Sequence, residues 1–234
     1  VRIVVPFAPG GPNDILARVI GQKLTETWGQ QVIVENRAGG GTVIGTEVVA
    51  KSPPDGYNLL MVSTSHTSNP TLVSKLPFDT LKDLAPVIKV AYSSNVLLAH
   101  PSLPARSVKE LVAVARGRPD QVTNASGGNG TSTHLAGEML CQMGGVKMLH
   151  VAYKGAGPAG IALISGEITW MFGNALPSVP LIRSGRVKAL AVTGLKRTPA
   201  LPDVPTLAAT VPGFEATSWY GVSVQGGTPR EVIA

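Results

Sequence analysis

The sequence predicts an α/β protein made of two doubly wound domains, on three observations. Strand-like and helix-like segments alternate along the 234 residues, as they do in parallel sheets with helical crossovers. Glycine-rich loops stand between a strand signal and a helix signal at three places. A long, mostly apolar segment over residues 86–99 separates two such series, and we interpret it as a bridge between the domains.

The first series begins with a β-branched, apolar strand that ends at a Pro-Gly-Gly-Pro turn. Apolar residues then recur at helical spacing from Ile15 to Leu24, which predicts an amphipathic helix. The predicted elements are, in order, strand 1–7, helix 15–24, strand 32–34, helix 42–51 and strand 59–62. This order favours parallel pairing, because a parallel strand needs a crossover connection of helical length.

The second series repeats the same order. Ser107 and Glu110 form a Ser-x-x-Glu capping box, which begins a helix that ends near Gly117. The later predicted elements are strand 122–126, helix 131–143, strands 146–153, 168–172 and 187–192 with short helices between them, strand 219–224, and a helix opening at 228–229. We expect one domain over residues 1–99 plus 219–234 and the other over residues 100–218.

Composition narrows the class of protein. The net charge is +6, but the 20 Lys and Arg residues are scattered and only 5% of residues are aromatic, so nucleic-acid binding is not expected. No apolar stretch approaches the ~20 residues of a membrane span. The only cysteine, Cys141, excludes a disulfide within the chain, and its apolar helical setting indicates a small buried hydrophobe.

The three glycine-rich loops carry the functional prediction. They cover residues 6–14, 126–132 and 153–158, each between a strand and a helix. The first N–H groups of a helix have no intrahelical partner, and the helix dipole adds about half a positive charge there. Loops at the carboxyl ends of strands are also where open α/β sheets bind ligands. These loops therefore indicate a carboxylate or phosphate site.

In the first loop, we expect Gly11 to be the N-cap of the helix and Pro12 its first residue, where a missing N–H costs nothing. Asp14 then falls at the third position, from which a carboxylate reaches back to the cap. Tight connections alone would also explain any one such loop; three in one chain favour an anion site.

Motifs of catalysis and cofactor binding are incomplete. Gly155-x-Gly157-x-x-Gly160 matches a dinucleotide fingerprint, but no acidic residue follows about 20 positions later, and the loop at 126–132 lacks a P-loop Lys. The four histidines show no metal-ligand spacing, and Gly-x-Ser-x-Gly is absent. We interpret His134 as a helix-turn or surface histidine. A binding protein without metal or cofactor is therefore expected.

Several segments, taken in order and at their spacing, resemble the substrate-binding receptors of tripartite tricarboxylate transporters, the Bug-type family. The matching segments are residues 4–11 with Asp14, Ala17 and Arg18, then 34–37, 39–41, 54–57, 126–135, 153–155, 201–206 and 212–214. The resemblance implies a type II periplasmic-binding-protein fold and a periplasmic receptor that hands its ligand to membrane permease subunits. It also implies a small carboxylate held by backbone amides and waters at the first loop.

Three departures from the family pattern affect these expectations. The chain begins in a strand without a signal peptide, as a mature chain would. Family members usually continue with another helix-rich stretch after Thr228, so we expect the C-terminal part of the first domain to be truncated. Gly173 stands where the family commonly has an aspartate, and its lost carboxylate argues against an amino-acid ligand.

The expected function is capture of a small carboxylate by a monomer. The predicted ligand-binding residues are Phe7, Ala8, Pro9, Gly10, Gly11, Asp14, Ser63, Thr64, Asn69, Ser126, Gly130, Thr131, Ser132, Tyr153, Gly155 and Asn174. Among these, the N–H groups of residues 8–11 are expected to hold one carboxylate. The alternatives are a ligand-sensing protein of the same fold in signalling, and a small-acid enzyme, for which His134 and Asp14 are the residues to mutate.

Overall fold

The computed structural model describes residues 1–118 and 121–234. Contacts between residues divide it into two units. The first unit contains Val1–Tyr92 and Trp219–Ala234, and the second contains Ser93–Ser218. The division at Tyr92 lies inside one long strand, whereas the sequence expectation placed it after Ala99.

The first unit is an α/β unit. Its elements are β1 (Arg2–Val5), α1 (Pro12–Trp28), β2 (Ile33–Asn36), a 3₁₀ turn (Gly40–Thr42), α2 (Val43–Ala50), β3 (Asn58–Ser63), α3 (Thr64–Leu72), the first part of β4 (Leu84–Ala99), most of β9 (Thr217–Gln225) and α8 (Arg230–Ile233). Strands follow the order β2-β1-β3-β9-β4. β1 is parallel to β2 and β3, as predicted, and β9 is antiparallel to β3.

Helices cover both faces of this sheet. Val4 and Leu60 belong to a buried cluster with Val49 of α2, whereas Ile3 belongs to another with Ala17 of α1. Successive strand residues point to opposite faces, so a strand covered on both sides is apolar throughout. This explains the continuous apolar run at the start of the chain, and it places the end of β1 beside the start of α1.

The second unit contains the rest of β4 and the start of β9. Its other elements are α4 (Val108–Gly117), β5 (Thr123–Ser126), α5 (Ser132–Gly144), β6 (Leu149–Ala152), α6 (Ala156–Ser165), β7 (Trp170–Asn174), α7 (Ala175–Arg183), β8 (Lys188–Val192) and a 3₁₀ turn (Leu207–Ala209). The strand order is β4-β7-β5-β6, with β8 also pairing β4. β5 is parallel to β6 and β7, and β4 is antiparallel to β7 and β8.

The core of the second unit is built around aromatic rings. Trp170 and Phe172 lie two positions apart on β7, so they share one face of the strand. Their rings meet edge to face, with 5.6 Å between the centroids. Phe172 also stacks on Phe214 at 6.0 Å. All three side chains are fully buried. Aromatic pairs in this arrangement add to the stabilisation from burial, so they hold β7 in place. The last residue of β7 is one of the predicted ligand-binding residues.

Two differences from the sequence expectation have clear causes. α3 was not predicted, because its sequence TSHTSNPTL is mostly polar and has no apolar stripe. The strand expected at 146–153 covers only Leu149–Ala152. Val146 instead donates its N–H to the carbonyl of Cys141 at 3.0 Å, which closes the end of α5.

The capping box of α4 is formed in part. The Ser107 hydroxyl accepts from the Glu110 N–H at 3.2 Å, while the Glu110 carboxylate accepts from the Arg106 N–H rather than from Ser107. In the part of the chain that the structure describes, no helix combines the length and apolar character required to cross a membrane.

Candidate functional site

The first loop joins β1 to α1 and is held by Asp14. Gly11 is the extended N-cap residue and Pro12 the first helical residue, as predicted. The Asp14 carboxylate accepts from the Gly10 N–H at 3.0 Å and from the Arg18 guanidinium at 3.1 Å. The Asn36 amide donates to the same carboxylate and to the Phe7 carbonyl, both at 3.0 Å. Asp14 therefore reaches back past the cap and fixes the loop from inside.

The electrostatics of Asp14 agree with this role. Burial by itself raises the pKa of the Asp14 carboxyl, but hydrogen bonds from Arg18, Gly10 and Asn36 outweigh it, and the pKa is lowered. The carboxylate is thus ionised and committed to groups of its own unit. Asp14 stays a predicted ligand contact, while its hydrogen bonds in the structure go to the loop that it shapes.

The loop leaves a smaller set of amide donors than predicted. Pro9 has no N–H, and the Gly10 N–H is used by Asp14. Among residues 8–11 of the first unit, Ala8 and Gly11 are therefore the candidates for donation to a ligand. The Phe7 side chain is packed in the core beside β1. The Phe7 carbonyl accepts from Asn36 and so helps to hold the loop.

Asn13, which the sequence analysis did not single out, lies at the second position of α1. It is 4% exposed, and its Nδ2 has no hydrogen-bond partner within the described residues. A buried amide without a partner costs free energy, so such a donor beside a helix N-terminus marks a place for an acceptor. The signal in the sequence was its position inside the first glycine-rich loop.

The predicted residues Ser63, Thr64 and Asn69 lie at the end of β3 and on α3. Ser63 is the N-cap and Thr64 the first residue of this helix. The Asn69 amide donates to the Gly41 carbonyl at 2.9 Å and to the Thr42 hydroxyl at 3.1 Å, so Asn69 ties α3 to the turn before α2. The buried hydroxyl of Thr64 has no partner in the described part of the chain. Thr64 is therefore a better candidate for a ligand contact than Asn69, whose amide is already hydrogen-bonded.

The second loop joins β5 to α5 and is closed by internal hydrogen bonds. The Ser126 hydroxyl accepts from the Gly128 N–H at 3.1 Å, and the Thr131 hydroxyl donates to the Gly128 carbonyl at 2.6 Å. The Gly130 N–H donates to Nδ1 of His134 at 3.2 Å. The predicted residues Ser126, Gly130 and Thr131 are thus brought together, and they hold the loop. The first-turn N–H groups of Ser132 and Thr133 have no intrahelical acceptor, by the geometry of a helix start.

The third loop packs against the second. A Cβ on Gly127 would lie 3.4 Å from the Ala156 nitrogen, and one on Gly128 would lie 3.1 Å from the Tyr153 carbonyl oxygen. The Tyr153 hydroxyl donates to Glu167 at 2.9 Å. Burial and the Glu167 carboxylate raise the pKa of Tyr153 to about 12. The Tyr153 hydroxyl is therefore neutral, and it already donates to Glu167 of the same unit. Gly155 is the N-cap of α6.

Asn174 ends β7 and belongs to a buried polar cluster with Asn95, Ser132 and Ser218. The Asn174 amide donates to Oδ1 of Asn95 and to the Ser218 hydroxyl, both at 3.0 Å. The Ser218 hydroxyl also meets Oδ1 of Asn95 at 2.9 Å and the Ser132 hydroxyl at 2.5 Å. Nδ2 of Asn95 is buried without a partner in the described residues. Spacing in the sequence gave no signal for this cluster.

Gly173 faces the interior of the second unit. A Cβ at this position would lie 2.5 Å from Cδ1 of Leu98 and 2.7 Å from Oγ of Ser178. Contacts below 3.0 Å require a neighbour to move. A side chain here would enter the packing between β7, β4 and α7. The packing around this position therefore does not support the expectation that the missing aspartate excludes an amino-acid ligand.

Cys141 is partly buried on α5, where the sequence predicts a small buried hydrophobe. Burial, together with the nearby Glu138 carboxylate, raises the pKa of its thiol to about 11. The thiolate is the reactive form of cysteine, so the raised pKa indicates an inert thiol.

His134 and His150 meet beside the second loop, although they are 16 positions apart in the sequence. Their ring centroids are 4.4 Å apart, and the His150 Nε2 atom bonds the Ser126 hydroxyl at 2.7 Å. Burial and the facing His134 lower the pKa of His150, and the Glu138 carboxylate opposes them. A neutral His150 therefore supports the Ser126 end of the loop.

The fold and these loops define a solute-binding receptor of the periplasmic-binding-protein class, which is also the class of the structures that resemble it. A model of the tripartite tricarboxylate transporter family receptor, TctC, matches residues 16–234, and the chain belongs to this family. The resemblance seen in the sequence, the fold class and the expectation of a binding protein rather than an enzyme are thus confirmed.

Two relatives and two solved structures illustrate the family. A UPF0065 protein from the tcbD–tcbE intergenic region of a Pseudomonas species is 41% identical over 232 residues, which are 98% of this chain and 69% of that protein. Protein BugT of Bordetella pertussis is 37% identical over 236 residues, 100% of this chain and 72% of that one.

Both solved structures carry a bound carboxylate. An R. palustris protein with adipate is 38% identical with a TM-score of 0.96, covering 100% of this chain and 79% of that chain. MatC from Rhodopseudomonas palustris with bound malate is 33% identical with a TM-score of 0.94, covering 100% and 80%.

Proposed function

We propose that this chain captures a small dicarboxylate in the periplasm and delivers it to the membrane permease subunits of a tripartite transporter. The observation that carries the proposal is the start of α1. The N–H groups of Ala8 and Gly11 and the unpaired, buried Nδ2 of Asn13 lie at a helix N-terminus, where the dipole favours an anion.

The ligand class follows from charge and from the relatives. Hydrogen bonds to a charged group are worth about twice those to a neutral one, so a carboxylate matches these donors better than a neutral oxygen does. Structures similar to this one hold adipate and malate, which are both dicarboxylates. Within the second unit, the first-turn amides of α5, at Ser132 and Thr133, are the candidate donors to an anion, and Asn174 is a further candidate. We also propose that the chain acts as a monomer.

Isothermal titration of the chain with adipate, malate and citrate tests the proposal, with dimethyl adipate as the uncharged control. We expect saturable binding of at least one acid and none of the diester. Asn13→Ala should weaken binding about 10–100-fold, because it removes one hydrogen bond to a charged group. Gln22→Ala, an exposed amide on the same helix, is the matched control and should bind as the unchanged chain does.

Two results would contradict the proposal. One is equal binding of the diester and the diacid, which would show that charge is not recognised. The other is an Asn13→Ala chain that folds normally and binds with unchanged affinity. Light scattering of the ligand-bound protein tests the monomer separately, and a stable dimer would overturn that part alone.

A further inference from the structure

His134, Glu138 and His150 form a cluster of metal-binding side chains in the second unit, which we call the His-Glu-His cluster. A ring nitrogen of each histidine and a carboxylate oxygen of Glu138 all lie within 4.8 Å of one another. The histidines show no metal-ligand spacing in the sequence, because His150 comes from a different element. Only the parallel pairing of β6 with β5 brings His150 beside the start of α5.

The surrounding structure orients both imidazole rings. His134 and Glu138 are one helical turn apart on α5, and Nε2 of His134 lies 3.9 Å from the carboxylate. Nδ1 of His134 accepts from the Gly130 N–H at 3.2 Å, so the Nε2 edge is the one that faces Glu138. The Ser126 hydroxyl bonds His150 at 2.7 Å. These two hydrogen bonds hold the rings in place before an ion binds, and coordination through Nε2 of His134 changes the one from Gly130.

We propose that the His-Glu-His cluster binds a divalent transition metal ion, with Zn²⁺ as the best match. Two imidazoles and one carboxylate are a donor set of zinc sites, whereas Ca²⁺ and Mg²⁺ prefer oxygen ligands alone. Zinc bonds of about 2.0–2.2 Å place tetrahedral ligand atoms about 3.4 Å apart. The required movement is about 1 Å, and the Glu138 side chain is 56% exposed and free to make it. A water completes the fourth position.

Metal binding has a consequence for the second loop. A metal on Nε2 of His134 leaves the proton on Nδ1, which then no longer accepts from the Gly130 N–H. The Gly130 N–H and the Nδ1–H of His134 would then face each other, so metal binding requires the Gly130 N–H to turn away, a cost that three coordinate bonds outweigh. The metal site and the glycine-rich loop of the second unit are thus linked through His134.

Equilibrium dialysis of the tag-free chain against Zn²⁺ at neutral pH tests the proposal, with Co²⁺ absorption as a report of tetrahedral coordination. We expect one Zn²⁺ per chain. His150→Ala and Glu138→Gln should each weaken uptake at least 10-fold. The matched control is His100→Ala, which removes a histidine that bonds Ser102 elsewhere in the same unit and should leave uptake unchanged.

Thermal melting of each variant without metal shows whether the variant is folded. Glu138 is on the surface, so its replacement by Gln should leave the melting temperature unchanged. Failure of the unchanged chain to retain Zn²⁺ would overturn the proposal. Retention that is equal in Glu138→Gln, His150→Ala and His100→Ala would overturn it as well, because the metal would then be bound elsewhere. Neither result depends on whether the chain binds a carboxylate.

Discussion

At the scale of single residues, Asp14 shows how one side chain shapes a glycine-rich loop from inside. It is 4% exposed and joins Gly10, Arg18 and Asn36 through its carboxylate. Only an ionised acceptor satisfies all three donors at once. The conformation of the loop therefore depends on the charge of Asp14.

Asp14→Asn should destabilise the protein by about 1–3 kcal/mol, because a neutral amide cannot accept from all three donors and leaves at least one unsatisfied. Ligand affinity should fall with it, since the Gly10 turn loses its anchor. Urea unfolding and titration measure the two effects. Asp203→Asn, at an exposed position of the second unit, should stay within about 0.5 kcal/mol of the unchanged chain. Equal stability of the two variants would show that the Asp14 charge is dispensable.

His66, on α3, is expected to make the stability of the protein depend on pH in mild acid. Burial lowers the pKa of His66 from its ordinary value of 6.5. As the pH falls below about 6.5, the unfolded chain takes up a proton that the folded chain resists. The contribution of His66 to stability is therefore present above that pH and is lost as the pH falls toward the lowered pKa of the folded state.

His66→Gln should accordingly reduce the loss of stability between pH 7.5 and pH 5, measured by urea unfolding at each pH. The comparison with the unchanged chain isolates His66, because His150 contributes to the slope in both proteins. Parallel pH profiles for the two chains would argue that the His66 ring is solvated in the folded state.

At the scale of elements, the contact of α2 with the end of β1 decides how the first loop is placed. Gly45 lies on the face of α2 that meets this loop. A Cβ there would lie 2.6 Å from the Arg37 carbonyl oxygen and 2.8 Å from Cα of Pro6. Both neighbours are backbone atoms, which cannot turn away as the end of a side chain can. The helix therefore approaches the loop at a distance that only glycine permits.

Gly45→Ala should cost about 1–3 kcal/mol in unfolding free energy, because the backbone must shift to relieve the overlap. Gly160→Ala on α6 is the matched control, since no atom lies within 4 Å of a Cβ there. That change should instead stabilise the protein by about 0.5–1 kcal/mol, the helix preference of alanine over glycine. Chemical denaturation of both variants decides the point, and stabilisation by Gly45→Ala would refute the close approach.

At the scale of the whole molecule, β4 and β9 are the strands that supply residues to both units. Asn95 and Ser218 lie on these two strands, where each belongs to the second unit, and they are hydrogen-bonded at 2.9 Å. Asn174 donates to both. The buried polar cluster therefore joins the two connecting strands to each other and to Ser132, at the start of α5.

Because they share one network, Asn95→Ala and Ser218→Ala should have non-additive effects on stability. A double-mutant cycle by urea unfolding should give a coupling energy of about 0.5–3 kcal/mol. The control cycle pairs Asn95→Ala with Ser184→Ala, whose hydroxyl bonds Leu181 at the end of α7, and should be additive within about 0.5 kcal/mol. Additivity in both cycles would mean that the cluster does not act as a unit.

Much of the local structure could be predicted from the sequence. The α/β class and the parallel pairing of β1 with β2 and β3 follow from the order of the strand and helix patterns, and each of these patterns, like the N-cap at Gly11, is a few residues long. Apolar periodicity, caps and turns are decided by neighbours in the chain, so a window of that length contains the cause. The resemblance to the transporter receptors rests on the same short segments.

The tertiary structure alone decided which polar groups meet. The Asp14 carboxylate accepts a hydrogen bond from Asn36, which is 22 positions away. Oδ1 of Asn95 accepts one from Ser218, which is 123 positions away. His150 reaches His134 only because β6 pairs with β5. Such contacts depend on strand order and register, which no local pattern encodes, and they determine which donors are occupied and which remain for a ligand. The sequence by itself therefore determined the family and the fold class, whereas the packing of distant elements decided which polar atoms are hydrogen-bonded within the described residues.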